Sequence, residues 1–177
     1  MATVLIVDDE ENIRVMLKAM LTKQGYDILV AENASEALQI VQRDLPDFIL
    51  TDVRMPGLSG IDLVKILTEK QIPSTIIVMS AYGNVDQAIE AMRAGAYDYI
   101  MKPFKTDEII LSLKKAQERE ELKRENRELR EQIYNEHAFE GMLSKNGRMT
   151  SLFLQIDKIA PYRTTVLITG ESGTGKE

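Results

Sequence analysis

Residues Thr3 to Glu10 read TVLIVDDE, a β-branched and aliphatic run that ends abruptly in three acids. The run lacks strict apolar–polar alternation, which suits a strand covered by helices on both faces. An amphipathic stretch follows, with Ile13, Leu17 and Leu21 on one helical stripe. The same unit recurs outward along the chain. Further strands are expected at Asp27 to Ala31, Phe48 to Thr51, Thr75 to Met79 and Tyr97 to Met101. The stripes between them are Ala37, Leu38 and Val41, then Ile61, Val64 and Leu67, then Val85, Ala88 and Met92. Such alternation predicts a doubly wound α/β domain around a parallel sheet, its five repeats ending near residue 116.

Composition narrows the function classes. The 177 residues include 44% apolar side chains, enough for a core, and 22 Lys and Arg against 28 Asp and Glu give a net charge of −6. That balance disfavours nucleic-acid binding through net charge. Without cysteine there is no disulfide, thiol nucleophile or zinc-thiolate site, and the single histidine, His137, excludes a histidine-rich metal centre. No apolar stretch approaches the roughly 18 residues of a membrane span, and the acids at Asp8 to Glu10 come too early for a signal peptide. The chain reads as soluble and cytoplasmic, with no membrane partner.

After residue 116 the composition changes. From Lys114 to Glu131, thirteen of eighteen residues are charged, seven basic and six acidic. Leu122, Asn126, Leu129 and Ile133 recur there at steps of four, three and four, the a/d seam of a coiled coil. A solvated single helix is the plainer alternative, but Asn126 at an a-like position suits a two-stranded coil of fixed register. Residues Tyr134 to Ser144 are expected to form a connecting loop. A helix over Met149 to Ile159, with Leu152, Ile156 and Ile159 on one stripe, and a buried strand at Thr165 to Thr169 are expected next.

Polar residues gather where the strands of the first domain end. Asp8, Asp9 and Glu10 follow the first strand, Asp52 the third, Ser80 the fourth and Lys102-Pro103 the fifth. In open α/β sheets that edge is where ligands bind. Taken singly, Asp8 and Asp9 could cap a helix, Ser80 could begin a turn and Lys102 could lie on the surface. Together they bring three carboxylates, a hydroxyl and an ammonium to one end of one sheet. Clustered carboxylates call for a cation, and hard oxygen donors suit Mg²⁺. Asp52 is the natural nucleophile toward phosphorus, with the turn Val53 to Gly57 behind it. An aspartyl phosphatase would want a second acid two residues on, where Arg54 stands.

IVDDE (6–10), TDVRMPGLSG (51–60), MSAYG (79–83) and GAYDYIMKPF (95–104) resemble the receiver domain of two-component response regulators, in the form joined to NtrC-type transcription activators. The resemblance implies a sheet of strand order 2-1-3-4-5. It implies Asp52 as phospho-acceptor, Asp9 as a direct Mg²⁺ ligand, Asp8 as a mainly water-mediated one, and the carbonyl of Arg54 as a further ligand of the metal. Ser80 stands at the family's switch hydroxyl, Tyr99 at its switch aromatic and Lys102 at its lysine, with a cis Lys102-Pro103 bond. Phosphorylation would draw Ser80 and Lys102 toward the phosphoryl group, let Tyr99 turn and change the packing of a dimer formed through receiver and linker.

The last residues, Gly170, Glu171, Ser172, Gly173, Thr174, Gly175, Lys176 and Glu177, match most of a phosphate loop, in which glycines let backbone amides cradle phosphates and lysine reaches the outer oxygens. Glu177 replaces the usual Ser/Thr. VLITGESGTGKE nevertheless resembles the opening of the AAA+ ATPase domain of sigma-54-dependent activators, where glutamate is usual. The expected organisation is a receiver at 1–116, a coiled-coil linker at 117–137 and a fragment of the ATPase domain at 138–177. ATP would be bound by the full-length parent, and hydrolysis by this chain alone is not expected. Implied partners are a sensor histidine kinase, a second copy of the chain, and sigma-54 RNA polymerase and DNA through domains absent here, all in a bacterial cytoplasm.

Overall fold

A computed structural model describes residues 2–81, 85–139, 142–144, 146–163 and 165–171, without the side chains of 130–139, 142–143 and 150. By backbone contacts the chain divides into two compact units, Met1–Glu121 and Leu122–Glu177.

The first unit is a five-stranded parallel sheet of order β2-β1-β3-β4-β5. The strands are β1 (Thr3–Val7), β2 (Asp27–Ala31), β3 (Phe48–Asp52), β4 (Thr75–Ser80) and β5 (Asp98–Met101). Between and after them run α1 (Glu11–Lys23), α2 (Ala34–Asp44), α3 (Gly60–Glu69), α4 (Val85–Ala94) and α5 (Thr106–His137). Side chains alternate across each strand, so β1 serves both faces. Leu5 and Val7 pack with Val41, Ile61, Val64 and Leu67 of α2 and α3. Val4 and Ile6 pack with Leu17, Leu21, Ile109 and Leu113 of α1 and α5. The chain reversal between β1 and β3 in the sheet order puts the switch point beside β1, where Asp8 and Asp52 lie at neighbouring strand ends.

Two apolar stripes depart from expectation. In α4, Val85 is 71% and Met92 48% exposed, and the buried position is Ala91. The helix approaches the sheet through alanine because a small side chain permits close packing, leaving the larger residues outside. In the second unit, α6 (Gly147–Ile159) buries Phe153, while Leu152 and Ile159 are exposed. The aromatic ring sets the inward face there, with Met149 and Ile156 half-buried on the same side.

Two segments differ in type. Residues Thr165 to Thr169 form no strand; Val166, Leu167 and Ile168 are exposed on irregular backbone. A parallel strand needs neighbours for its N–H and C=O groups, and none lies beside this run among the described residues. The expected loop at Tyr134 to Ser144 is instead the last turn of α5 followed by β6 (Ala138–Phe139) and β7 (Met142–Leu143), an antiparallel pair.

Candidate functional site

Asp52 closes β3 opposite Met79 of β4, and the backbone beyond it is tied down at once. The Val53 N–H donates to the Met79 carbonyl at 2.8 Å, and the Gly60 N–H donates to the Val53 carbonyl at 2.9 Å. The Arg54 N–H donates to Asp52 Oδ2 at 2.6 Å. Ser59 then starts α3 through a capping box with Asp62. Only glycine fits at position 60 without a shift of the backbone: a Cβ there would sit 1.9 Å from the Asp52 carbonyl oxygen.

Three sequence-predicted groups meet directly. Lys102 Nζ lies 2.7 Å from Asp8 Oδ2 and 2.6 Å from Asp52 Oδ1. Asp8 is completely buried and Asp52 nearly so. The Lys102 N–H donates to the Ser80 carbonyl at 2.6 Å, which ties the lysine backbone to the end of β4; the Lys102–Pro103 peptide is cis. Ser80 is itself buried at the end of β4.

Burial pushes the Asp52 carboxyl above the ordinary aspartate range; Lys102 and the Arg54 N–H oppose this, and the neighbouring Asp8 charge adds to it. For Lys102, burial works against the ammonium, but the hydrogen bonds and charges of Asp52 and Asp8 outweigh it and hold the group above the ordinary lysine value. The two directions are compatible. One lysine serves two acids, which leaves each acid with less than a full partner.

Asp9 is exposed. It lines a cleft of about 560 Å³ together with Arg54, Met55, Ser59, Gln87 and Glu90. Among the described residues no three acidic or histidine side chains are gathered closely enough to hold a metal ion; Asp9 lies at the rim and Lys102 stands between the other two acids. The donor set itself, hard carboxylate and carbonyl oxygens only, still fits Mg²⁺.

Tyr99, half-buried on β5, packs against the cluster that includes Ile61 and Val64. Its N–H donates to Asp98 Oδ1 at 2.8 Å, and Asp98 Oδ2 accepts from Ser112 of α5 at 2.6 Å. Of the phosphate-loop residues, Gly170 and Glu171 are exposed and irregular, and Ser172 to Glu177 lie outside the described residues.

Sequence reasoning missed two participants. Arg14 Nη1 donates to the Asp8 carbonyl at 2.6 Å, and Gly60 admits the Asp52 backbone. A glycine at the first position of a predicted helix was a legible sign of close approach; the reach of Arg14 from one turn into α1 had no sequence signal.

The chain matches the response regulator receiver domain over residues 4–114 and the sigma-54 interaction domain over residues 142–177. Regulatory protein AtoC of Escherichia coli K12 is 38% identical over 98% of this chain and 38% of its own length. DNA-binding transcriptional regulator NtrC of Proteus hauseri is 34% identical over 98% of this chain and 36% of its own length. The chain thus spans well under half the length of these curated relatives. Among solved structures, the beryllofluoride-activated NtrC4 receiver domain dimer has a TM-score of 0.62 at 35% identity, covering 66% of this chain and 96% of that one. The FixJ-N crystal structure has a TM-score of 0.63 at 39% identity, covering 67% and 94%.

Proposed function

The chain belongs to the response regulators, a receiver domain continued by the start of a sigma-54 interaction domain, and on that premise we propose that Asp52 is its phospho-acceptor. The observation that carries this reading is the buried pairing of Lys102 with both Asp52 and Asp8 at the carboxyl edge of the sheet.

A carboxylate oxygen of Asp52 forms a bond to phosphorus as the bond from phosphorus to its donor breaks, the donor being an imidazole nitrogen of a sensor histidine kinase or the acyl oxygen of acetyl phosphate. The donor's leaving group departs on the opposite side. Lys102 holds Asp52 in place and offers its ammonium to the charge on the transferring oxygens. The residues that would hold Mg²⁺ are Asp8, Asp9, Asp52 and the Arg54 carbonyl; when bound, it supplies neutralisation of that same charge. The Ser80 hydroxyl donates to the phosphoryl group once it is in place, and Tyr99 turns into the space Ser80 leaves. The altered β5 and α5 surface then biases how two copies pack through receiver and linker. In this reading residues 1–116 accept the phosphoryl group, 117–137 couple it to a dimer, and 138–177 begin the ATPase domain of a longer activator. That activator's ATP binding and its contacts with sigma-54 RNA polymerase and DNA belong to the whole protein.

Incubation with acetyl phosphate and Mg²⁺, followed by mass spectrometry, tests the acceptor. Modification of the wild type and not of Asp52→Asn is expected; equal modification of both refutes the assignment.

A further inference from the structure

The geometry points to Arg14 as a positioning residue for this site, a clamp that fixes the Asp8–Asp9 peptide so that the two acids act on one cation. The inference rests on the reading of Asp8, Asp9 and Asp52 given above. Asp8 is completely buried, and each of its polar groups is held from a different direction. Its N–H donates to the Ala31 carbonyl of β2 at 3.3 Å. Its Oδ1 accepts from the Glu10 N–H at 3.0 Å, and its Oδ2 from Lys102 Nζ at 2.7 Å. Its carbonyl accepts from Arg14 Nη1 at 2.6 Å.

The last contact has a role the others cannot take. The peptide unit is planar, so fixing the Asp8 carbonyl fixes the plane that carries the Asp9 N–H. It also fixes where the Asp9 Cα stands, the point from which the exposed Asp9 side chain reaches the cleft. At the start of α1, Glu10 makes no side-chain capping hydrogen bond, and its N–H bond to Asp8 Oδ1 closes the turn around Asp9 but leaves the Asp8 carbonyl without a partner from the cap. A charge-assisted bond from one turn inside the helix takes its place.

A guanidinium beside these acids has two opposed effects on a cation. Its charge repels the cation, whereas its grip on the backbone gathers the ligands. Removing a mere neighbouring charge would tighten cation binding; removing a clamp would weaken it. Partners that orient metal ligands typically change affinity by about 10–100-fold when lost, so the weakening is expected to prevail at about tenfold.

Titration calorimetry of Mg²⁺ into the full chain, with no phosphodonor present, decides the matter. Arg14→Met keeps the length of the apolar stem and removes every donor; it should bind Mg²⁺ about tenfold more weakly, at the lower end of that range. Arg14→Lys keeps the charge and N–H donors but not the planar fork of the guanidinium, and should fall between the two; it carries the test if Arg14→Met does not fold. Affinity in either variant equal to or tighter than that of a Mg²⁺-binding wild type overturns the clamp and leaves the acidic site standing. Absence of Mg²⁺ binding by the wild type overturns the site itself, and the clamp with it.

Discussion

Gly60 lacks a side chain because the Asp52 carbonyl occupies the space one would need. In Gly60→Ala the methyl group would meet that backbone oxygen at 1.9 Å, and neither partner is a flexible side-chain end. Overpacking of this kind costs about 1–3 kcal/mol, which urea denaturation would register, and phosphorylation of Asp52 should slow with it because the acceptor's own backbone must move. A second prediction concerns pH. Burial raises the Asp52 pKa, so the folded chain binds that proton more tightly than the unfolded chain does. Between the ordinary carboxylate range and the raised value, this group therefore adds stability as pH falls and withdraws it as pH rises. Denaturation with EDTA present should show wild type gaining on Asp52→Asn as pH is lowered from neutral; a constant difference would mean the acid is not perturbed. Lys102 acts at the other end of the scale. Its raised value contributes stability that is complete below the ordinary lysine pKa and lost as pH climbs through the folded one.

The longest element, α5, changes character along its length. Ile109, Leu113 and Ala116 are fully buried at helical spacing, while Leu122 and Leu129 are 59% and 50% exposed. Ser112 joins the buried part through its 2.6 Å hydrogen bond to Asp98. A hydrogen bond to a charged group is worth about 1.5–3 kcal/mol, so Ser112→Ala should lower stability by about 1.5 kcal/mol in urea. The exposed leucines make the a/d seam available to a second chain. Sedimentation should find the wild type dimeric and Leu122→Ala/Leu129→Ala monomeric; a dimer that survives the substitutions would place the interface elsewhere. The strands were legible nearly residue for residue, because a buried parallel strand has few polar positions and acids or turns mark its end. The stripes of α1, α2 and α3 were legible for the same reason. Those of α4 and α6 were not: hydrophobicity ranks Val85 and Met92 above Ala91, whereas packing distance ranks them the other way. Thr165 to Thr169 failed differently, since apolar content makes a strand possible and only neighbouring strands make it one. At the site, strand-end position revealed Asp8, Asp52, Ser80 and Lys102, but the sharing of one ammonium between acids 44 residues apart is a property of the sheet order.

At the scale of the whole chain, the first unit holds both apolar clusters and the site within Met1–Glu121. Residues 1–121 alone should therefore fold with the thermal midpoint of the full chain's receiver, and a drop of many degrees would show that later residues support it. The Lys102 contacts have one more consequence, for ionic strength. Mobile ions screen charges they can approach, over about 8 Å at physiological salt, but the Lys102 side chain is only 12% exposed and those of its two partners less. Pairs such as Lys65–Glu90 and Arg124–Glu128 lie open to solvent. Added sodium chloride should therefore strip the surface of its electrostatic pattern, the mixed charges of the linker included, and leave the charge arrangement around Asp52 as it was. The Lys102 bridge between Asp8 and Asp52 would hold alike in dilute and in concentrated media, while the exposed Asp9 and the charges of α5 beyond Glu121 would feel the salt.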